Sequence, residues 1–354
     1  MQPVQITPTL TEKKKLMSSI HVQYGGGLEG LAAKQHPIPK PGAREVLVRI
    51  RANSLSYRDI SILNGNYMLP VKPDVIAVSD GAGEVVETGS EVTRTKTGNR
   101  VAINMFPRWL DGHFAWEYSD QIGGSLNGLL TEYAVVHEDA VVAIPNHLTF
   151  EQAATLPCAA LTAWNALTTG RPLQAGETVL TLGSGSVSLF AIQFARLFGA
   201  QVIATTSTDE KAERLKALGA HEVINYHKNP QWHTEVKRLT HGRGVDQVLE
   251  VAGTSLEQSI LSTTAGGRVN FIGRMGGDLQ PIQLGMLFMS GAHIHPIAVG
   301  NRTQFIAMNK AIEVNRLQPV IDRIFHFDDS IDAFAYLLKG DYFGKIVISH
   351  NHCR

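Results

Sequence analysis

Residues 178–198, TVLTLGSGSVSLFAIQFARLF, decide the fold of this chain. They predict a short apolar strand, a glycine turn at residues 183–186 and an apolar helix. A helix that begins at such a turn offers free N–H groups and the positive end of its dipole to a phosphate. Ser188 replaces the third glycine of the usual dinucleotide pattern, and its small side chain still permits close helix–strand contact. By itself this glycine turn fits a plain tight turn equally well, so the segments around it decide whether it is interpreted as a nucleotide site.

Downstream of this stretch, short apolar strands alternate with helices. We predict strands at residues 179–182, 202–205, 223–225, 247–251, 268–272 and 293–298, and helices at 187–198, 209–218 and near 231–240. This alternation is typical of a doubly wound parallel sheet with helices on both faces. The chain beyond about residue 150 is therefore predicted to contain an α/β domain of the Rossmann type, with the glycine turn in its first unit.

The upstream half has a different character. Strand-like runs at residues 45–50, 83–87 and 100–103 are separated by glycine and proline, which predicts an irregular β-rich domain. Residues 106–130 form a long loop rich in aromatic side chains, which is expected to be either a substrate lid or a packed surface lobe. Residues 1–18 lack the apolar core of a signal peptide and are expected to form a flexible tail.

The composition is that of an ordinary globular protein. Of 354 residues, 44% are hydrophobic and 18% are charged, and 32 basic residues balance 32 acidic ones. This balance gives no electrostatic reason to expect nucleic acid or an anionic membrane as a partner, and no apolar run is long enough to span a bilayer. The two cysteines, Cys158 and Cys353, make no disulfide framework and fit a reducing compartment, so we expect a cytoplasmic protein.

The strand after the glycine turn indicates which dinucleotide is bound. A site selective for NAD usually places an acidic residue at the end of this strand to hold the ribose hydroxyls. Here the strand ends in Thr206 and Ser207, with Lys211 one helical turn later and Tyr226 just after the next strand. Hydroxyls and a lysine suit a 2′-phosphate, which a carboxylate would repel. We therefore predict NADPH rather than NADH, although Lys211 also fits an exposed helix position.

Seven stretches in the same order along the chain resemble the medium-chain dehydrogenase/reductases. They are residues 53–59 (NSLSYRD), 79–89 (SDGAGEVVETG), 97–101 (TGNRV), 153–164 (AATLPCAALTAW), 183–186 (GSGS), 217–220 (ALGA) and 343–347 (FGKIV). Each stretch is modest alone, but seven in order between about residues 40 and 348 are specific. The chain is most similar to zinc-independent members, among the zinc-type alcohol-dehydrogenase-like proteins and the quinone or enoyl reductases.

The resemblance implies a GroES-like catalytic domain of residues 1–160 and 301–354, and a Rossmann domain of residues 161–300. It also implies a homodimer formed through the edge strand near residues 293–298. The glycine turn is expected to contact the cofactor through Gly183, Ser184, Gly185, Ser186 and Val187. The resemblance adds further cofactor contacts at Thr162, Val251, Ala252, Gly253, Ile272, Gly273, Arg274, Gly344 and Lys345.

The same resemblance argues against zinc. Members with a catalytic zinc offer a cysteine, a histidine–glutamate pair and a second cysteine or an acid, and the matching positions here are Ser56, Ser79 with Asp80, and Cys158. Neutral serine is a poor zinc ligand compared with thiolate or imidazole. The four clustered cysteines of the family's structural zinc have no counterpart in residues 90–130. We therefore expect no metal, and we expect Cys158 to be a small buried residue.

Without a metal that polarises a carbonyl, a conjugated acceptor is easier to reduce than a simple ketone, because charge spreads to an oxygen that hydrogen-bond donors stabilise. A proton donor must complete the reduction. Tyr67 is the first candidate, because residues 59–67 (DISILNGNY) resemble the segment of mitochondrial-type enoyl reductases that ends in their proposed acid tyrosine. Tyr57 is the second candidate, and Asn53 is a candidate donor to substrate or ribose. Each of the three also has a structural alternative.

The sequence therefore predicts an NADPH-dependent, zinc-independent oxidoreductase. Its substrate would be a small hydrophobic compound with an activated C=C bond, such as an enone or an enoyl compound, or a quinone. A zinc-free alcohol dehydrogenase or ketone reductase is the first alternative, and a non-redox isomerase or cyclase on the same fold is the second. Analogy at the level of the fold does not choose between them.

Overall fold

A computed structural model describes residues 16–273 and 281–351 of the chain. Its strands are β1 (Leu16–Val22), β2 (Leu31–Pro37), β3 (Glu45–Leu55), β4 (Val75–Ile76), β5 (Asp80–Thr88), β6 (Arg100–Ile103), β7 (Tyr133–His137), β8 (Val141–Ala143), β9 (Thr178–Leu182), β10 (Gln201–Thr206), β11 (Glu222–Asn225), β12 (Val245–Glu250), β13 (Thr263–Phe271), β14 (His293–Pro296), β15 (Ile321–His326) and β16 (Lys345–Ser349).

The helices connect these strands and cover the sheets. They are α1 (Tyr57–Leu63), α2 (Phe150–Ala153), α3 (Leu161–Thr168), α4 (Ser186–Leu197), α5 (Asp209–Leu218), α6 (Trp232–Leu239), α7 (Leu256–Ser262), α8 (Leu284–Ser290), α9 (Arg302–Asn315) and α10 (Ser330–Lys339). A π-helical turn, Leu156–Ala160, leads into α3. Within residues 16–273 and 281–351, every helix is too short or too polar to cross a membrane.

The predicted parallel sheet is confirmed. Six strands lie in the order β11-β10-β9-β12-β13-β14, and every neighbouring pair runs parallel. The central strands β9 and β12 are buried almost throughout, as expected where helices cover both faces of a sheet. Helix α4 packs against this sheet and against α3, with the rings of Phe194 and Trp164 in edge-to-face contact at 5.3 Å. This is the Rossmann-like half of a two-domain α/β fold.

The other half is the β-rich, GroES-like domain. Seven strands form its main sheet in the order β15-β16-β3-β5-β6-β8, with β7 paired to the first part of β3. A small sheet, β2-β1-β4, lies beside it. The last strand, β16, pairs antiparallel with β3, so the end of the chain returns to the domain where the described chain begins. The exact domain limits stay a prediction.

One sequence expectation about the N-terminus needs correction. Residues 1–15 lie outside the described ranges, but β1 begins at Leu16 and pairs with β2 from its first residue. Met17 is buried, and its sulfur accepts a hydrogen bond from Thr131 Oγ1 at 3.8 Å. The expected tail of residues 1–18 is therefore wrong for its last three residues. The loop at residues 106–130 is confirmed as irregular, with a single short turn of helix at Trp116–Tyr118.

Candidate active site

A cleft of about 850 Å³ lies between the two domains. One wall comes from α1 and the aromatic loop, and the other comes from the start of α4 and the ends of β12 and β13. The predicted site residues that line it are Tyr57, Tyr67, Thr162, Gly185, Ser186, Val187, Val251, Ile272, Gly273 and Gly344. Ligands of α/β proteins bind at the carboxyl ends of parallel strands, which makes this cleft the candidate active site.

The glycine turn fits a phosphate. Gly183 has a φ of +73°, which favours glycine, and Gly185 is the N-cap residue of α4. No side chain among the described residues caps α4, so its first N–H groups have no side-chain acceptor. A Cβ on either glycine would meet no atom within 4 Å, so the space in front of the turn is open. Ser188 is buried and donates to Leu182 O at 2.6 Å, which keeps the helix close to the strand.

The loop after β12 is held by a buried carboxylate. Glu250 Oε1 accepts hydrogen bonds from the N–H groups of Ala252 and Gly253 at 2.9 and 2.8 Å, and its oxygens also accept from the hydroxyls of Ser255 and Ser259. The amides of Ala252 and Gly253 are therefore already used and neither residue lines the cleft, so the cofactor contacts expected of them stay predictions. Val251 in the same loop does line it. Arg274 lies outside the described residues.

The residues predicted to hold a 2′-phosphate gather at the ends of β10 and β11. Tyr226 N–H donates to Thr206 O at 2.9 Å and so joins the two strand ends. Thr206 is buried, and Ser207 is half-buried beside it. Lys211 Nζ lies 2.9 Å from Asp341 Oδ1, and the Asp341 side chain is 90% exposed. A phosphate that reached Lys211 would therefore compete with a single solvent-exposed carboxylate.

Gly344 and Lys345 have different surroundings although they are adjacent. Gly344 forms a backbone bridge to Gly185 of the glycine turn and lines the cleft. Lys345 is 1% exposed, and its Nζ donates to Leu55 O at 2.7 Å, Ser56 Oγ at 2.9 Å and Asp80 Oδ2 at 3.3 Å. All three ammonium hydrogens thus have acceptors inside the catalytic domain, and the predicted cofactor contact at Lys345 stays a prediction that its ammonium does not support.

The positions that would hold a catalytic zinc do not form a zinc site. Asp80 is bound by the Lys345 ammonium and by serine hydroxyls, and Ser56 is a donor to that same carboxylate. Burial, and next the neighbouring Asp80, raise the pKa of Cys158 to about 12, so its sulfur is a neutral thiol near pH 7. Cys158 is half-buried in the cleft wall, which corrects the expectation that it is fully buried. In the described part of the chain, no cluster of three histidine, cysteine or acidic side chains could hold a metal ion.

Tyr67 and Tyr57 both reach the cleft. Tyr67 follows α1, is half-buried, and lies against Arg58, whose guanidinium carbon is 4.9 Å from the centre of the phenol ring. Arg58 Nε donates to Tyr67 Oη at 3.3 Å. Tyr57 is the first residue of α1 and is half-buried beside the half-buried Tyr342. The structure thus places a phenol with a cationic neighbour in the cleft wall.

Asn53 does not take part in the cleft. It is fully buried in β3, and its Nδ2 donates to Asp80 O at 3.0 Å and to Leu129 O at 2.9 Å. Its Oδ1 pairs with His350 Nε2 at 2.7 Å. The predicted role of Asn53 as a donor to substrate or ribose is therefore wrong, because every polar atom of the side chain is used inside the catalytic domain.

The part of the cleft wall that the aromatic loop forms is lined by rings. Phe106, Trp109, Phe114 and Trp116 form a chain of edge-to-face ring contacts with centroid distances of 5.2–6.3 Å. All four rings line the cleft, and Trp116 is 77% exposed at its outer end. The aromatic loop is thus both a packed lobe and a wall of the site, and it gives the cleft an apolar surface.

Comparison with known proteins agrees with this architecture. A family model described as an alcohol dehydrogenase GroES-like domain matches residues 42–146, and one described as a zinc-binding dehydrogenase matches residues 186–313. A zinc-type alcohol dehydrogenase-like protein of Schizosaccharomyces pombe is 39% identical over 335 residues, which cover 91% of this chain and 96% of that protein. A quinone oxidoreductase of Pseudomonas aeruginosa is 35% identical over 271 residues, or 75% of this chain and 76% of that protein.

A solved structure of a putative alcohol dehydrogenase from Sinorhizobium meliloti superposes with a TM-score of 0.87 at 36% identity, covering 94% of this chain and 99% of that one. The fold and the site define an oxidoreductase-type protein with a nicotinamide-dinucleotide cleft. The chain belongs to the medium-chain dehydrogenase/reductase family, whose relatives here are named alcohol dehydrogenases and quinone oxidoreductases.

Sequence reasoning assigned no part in the site to Arg58, Glu250 or Asp341. A signal existed for Arg58, because it stands four residues before Ile62 and shares the buried face of α1. Glu250 ends a buried strand, where an acidic residue requires partners. Asp341 is 130 positions from Lys211, and nothing in the sequence links the two.

Proposed function

We propose that this protein is an NADPH-dependent, zinc-independent reductase of an activated C=C bond or a quinone, and that a small hydrophobic conjugated substrate binds in the cleft. The observation that carries the proposal is the Tyr67 phenol, which lies in an otherwise largely apolar cleft shared with the glycine turn. The relatives named quinone oxidoreductases support the same class of substrate.

The proposed chemistry uses few protein groups. NADPH, when bound, supplies a hydride to the β-carbon of the acceptor. The electron pair of the C=C bond then moves toward the conjugated oxygen as an enolate, and Tyr67 Oη gives its proton to the α-carbon. The phenolate that remains is reprotonated from solvent. Apolar walls keep water from the reacting atoms, which strengthens every electrostatic interaction in the site.

NADPH is favoured by the charges at the ends of β10 and β11. Lys211 supplies an ammonium from the first turn of α5, just after β10, and its carboxylate partner Asp341 is on the solvent side. Asp209, the first acidic residue after β10, is bound instead by Lys228 and Asn225 at 2.5 and 2.9 Å. The site therefore offers a cation to a 2′-phosphate, whereas the carboxylate that would hold ribose hydroxyls is turned to other partners.

A homodimer is supported by the surface beside β14. Among the described residues, β14 has a strand partner only on its β13 side, so its other edge is open. The adjacent α8 exposes Leu284, Phe288 and Met289 by 79%, 84% and 81%. An open strand edge next to a group of exposed apolar side chains suits a second copy of the same surface.

The test follows NADPH absorbance with purified, metal-stripped protein and a panel of enals, enones, quinones and simple ketones. We expect consumption with conjugated acceptors, and we expect Tyr67→Phe to lower kcat about 10²- to 10⁴-fold, the usual effect of losing a general acid. Tyr133→Phe, in β7 and away from the cleft, is the matched control and should leave the rate unchanged. Consumption confined to ketones, or product of unchanged mass without NADPH loss, would favour the ketone reductase or the non-redox enzyme instead.

A further inference from the structure

Arg58 is a buried cation in the wall of the cleft. It is the second residue of α1, is 8% exposed and lines the cleft beside Tyr67. Burial of a charged group is unfavourable unless partners compensate it. Although burial by itself lowers it, the neighbouring Tyr67 and Asp59 hold the pKa of Arg58 above its usual range, so the guanidinium stays charged.

The guanidinium is fixed in one orientation. Its Nη2 donates to Gln121 Oε1 at 2.7 Å and to Gly123 O at 3.1 Å. Gln121 is itself held, because its Nε2 donates to Pro70 O at 2.8 Å. These contacts leave the Nε edge of the guanidinium directed at Tyr67. The cation and the phenol are therefore arranged by the fold rather than by a ligand.

The direction of the bond between the two groups is decided by chemistry. Arginine can only donate hydrogen bonds, so Tyr67 Oη accepts from Arg58 Nε at 3.3 Å. The hydrogen of the Tyr67 hydroxyl is thus not used in this bond, and the structure gives it no acceptor among the described residues. Because Tyr67 lines the cleft, that hydrogen is available to a substrate atom.

From this geometry, and resting on the proposed function, we infer that Arg58 is a positioning residue that acts through Tyr67. When Tyr67 gives its proton to the α-carbon of the enolate, the O–H bond breaks, a C–H bond forms and the phenolate oxygen keeps the electron pair. The Nε–H of Arg58 then donates to a phenolate instead of a phenol. This bond then joins two opposite charges rather than a cation and a neutral oxygen, so the transition state gains more than the ground state.

The ion pair between Arg58 and Asp59 does not prevent Arg58 from donating to Tyr67. Arg58 Nη1 is 3.6 Å from Asp59 Oδ1, which is beyond hydrogen-bond distance, and Nη1 has no hydrogen-bond partner in the described part of the chain. Asp59 Oδ2 accepts instead from Ser56 N–H at 2.8 Å. The carboxylate therefore balances part of the charge from the opposite side while the Nε edge remains on Tyr67.

The inference predicts a distinct pH signature. A general acid loses activity as pH rises and its proton is lost, so the alkaline limb of the rate profile depends on the surroundings of the acid. Arg58→Gln keeps the approximate length of the side chain and removes its charge. We expect kcat to fall about 10- to 100-fold, the effect of losing a hydrogen bond to a charged group, with little change in KM. The alkaline limb of the rate profile should move, which the loss of a merely structural contact would not cause.

Other titratable groups that face Arg58 and Tyr67 must be separated from this limb. Burial, against the opposing effect of Arg58, raises the pKa of Asp59 to about 6, so Asp59 affects only the acidic limb. The pKa of the Cys158 thiol is raised to about 12, so this thiol stays protonated while the other groups titrate. Tyr24 reaches only the backbone oxygen of Tyr67, at 3.1 Å.

Asp80 and Lys345 act on Asp59 and Cys158 rather than on Tyr67, and they are unchanged in all variants. Arg58→Lys keeps the charge but loses the planar donor, so its alkaline limb should stay closer to that of the unmodified protein.

The experiment compares the unmodified protein, Arg58→Gln, Arg58→Lys, Tyr67→Phe and the Arg58→Gln/Tyr67→Phe double variant with an enone acceptor. If Arg58 acts through Tyr67, the double variant is no slower than Tyr67→Phe alone. Arg100→Gln is the matched control, because Arg100 also lies over a ring, that of Phe150 at 4.7 Å, but does not line the cleft. It should leave the rate profile unchanged.

The outcomes separate this inference from the proposed function. An unmodified protein that consumes no NADPH with any conjugated acceptor removes both. Activity of the unmodified protein together with additive losses in the double variant, or with an unmoved alkaline limb in Arg58→Gln, overturns the role of Arg58 alone. If Arg58→Gln does not fold, Arg58→Lys decides: a kcat and a pH profile that are both unchanged show that the directed donor to Tyr67 is unnecessary.

Discussion

Replacing Lys345 by methionine should destabilise the protein strongly. Lys345 and Asp80 are 1% and 0% exposed, and the ammonium lies 3.3 Å from the carboxylate. Methionine fills similar space without the charge, so the variant leaves a buried carboxylate without its cation. Breaking a buried ion pair by removal of one partner costs about 3–5 kcal/mol.

The remaining partners of Asp80 set where the loss falls within this range. Serine hydroxyls donate to the carboxylate from Ser54 at 3.3 Å, Ser56 at 3.2 Å and Ser79 at 3.1 Å. These hydrogen bonds from neutral donors compensate part of the charge but do not supply the positive charge of the ammonium. The variant also loses the donor to Leu55 O. We therefore expect a loss of about 3 kcal/mol in the free energy of unfolding.

Urea unfolding followed by fluorescence gives this free energy, provided that the slope of the transition is unchanged. Lys237→Met is the matched control, because Lys237 Nζ donates to Thr263 O at 2.8 Å and to Arg243 O at 3.3 Å without a carboxylate partner. It should cost only about 1 kcal/mol. The double variant Lys345→Met/Asp80→Asn should recover most of the loss, since a neutral pair is often tolerated where a lone charge is not. A Lys345→Met loss equal to that of Lys237→Met, or no recovery in the double variant, would refute the reasoning.

Three further predictions follow from single contacts. Lys211→Ala should weaken NADPH binding about 10-fold or more and leave NADH binding unchanged, whereas Asp341→Asn should strengthen NADPH binding. Fluorescence titration with both cofactors measures this, and equal losses of NADPH and NADH binding in Lys211→Ala would contradict it. Because burial raises the pKa of Asp59 to about 6, folding takes up a proton between about pH 4 and 6. The free energy of unfolding should therefore fall by about 3 kcal/mol as pH rises through that window. Urea unfolding at several pH values should show a flatter dependence for Asp59→Asn. If the proposed dimer forms, Phe288→Glu should convert it to a monomer in sedimentation analysis, and an unchanged dimer would place the interface elsewhere.

The Rossmann half was largely predictable from the sequence because its signals are local. Strand β9 and helix α5 begin and end within one residue of their predicted limits, since apolar runs and glycine turns mark the ends of such elements. Strands β1, β2 and β15 were not predicted. Their alternation is interrupted by polar residues, and their pairing depends on segments far away in the sequence.

The candidate site also has a part that was predictable from the sequence and a part that was not. Gly185 and Ser186 of the glycine turn line the cleft as predicted, because backbone geometry follows from a short motif, whereas Gly183 and Ser184 lie just outside its lining. The surroundings of Asn53 and Lys345 could not be predicted, because each side chain finds partners far away in the sequence. A motif gives a position along a strand, but the face and the depth of burial of a polar side chain come from tertiary packing.

The two buried cations beside the cleft bear differently on the choice of substrate. All three hydrogens of the Lys345 ammonium are directed to Leu55 O, Ser56 Oγ and Asp80 Oδ2, so none is left for the oxygen of a substrate. The Arg58 guanidinium has its Nε edge on Tyr67. Of these two cations, only Arg58 is therefore directed at Tyr67, the phenol that we propose stabilises charge by giving up a proton. Such a site suits an acceptor that spreads the added charge by conjugation. For this reason, the comparison of enones with simple ketones is the most informative one in the substrate panel.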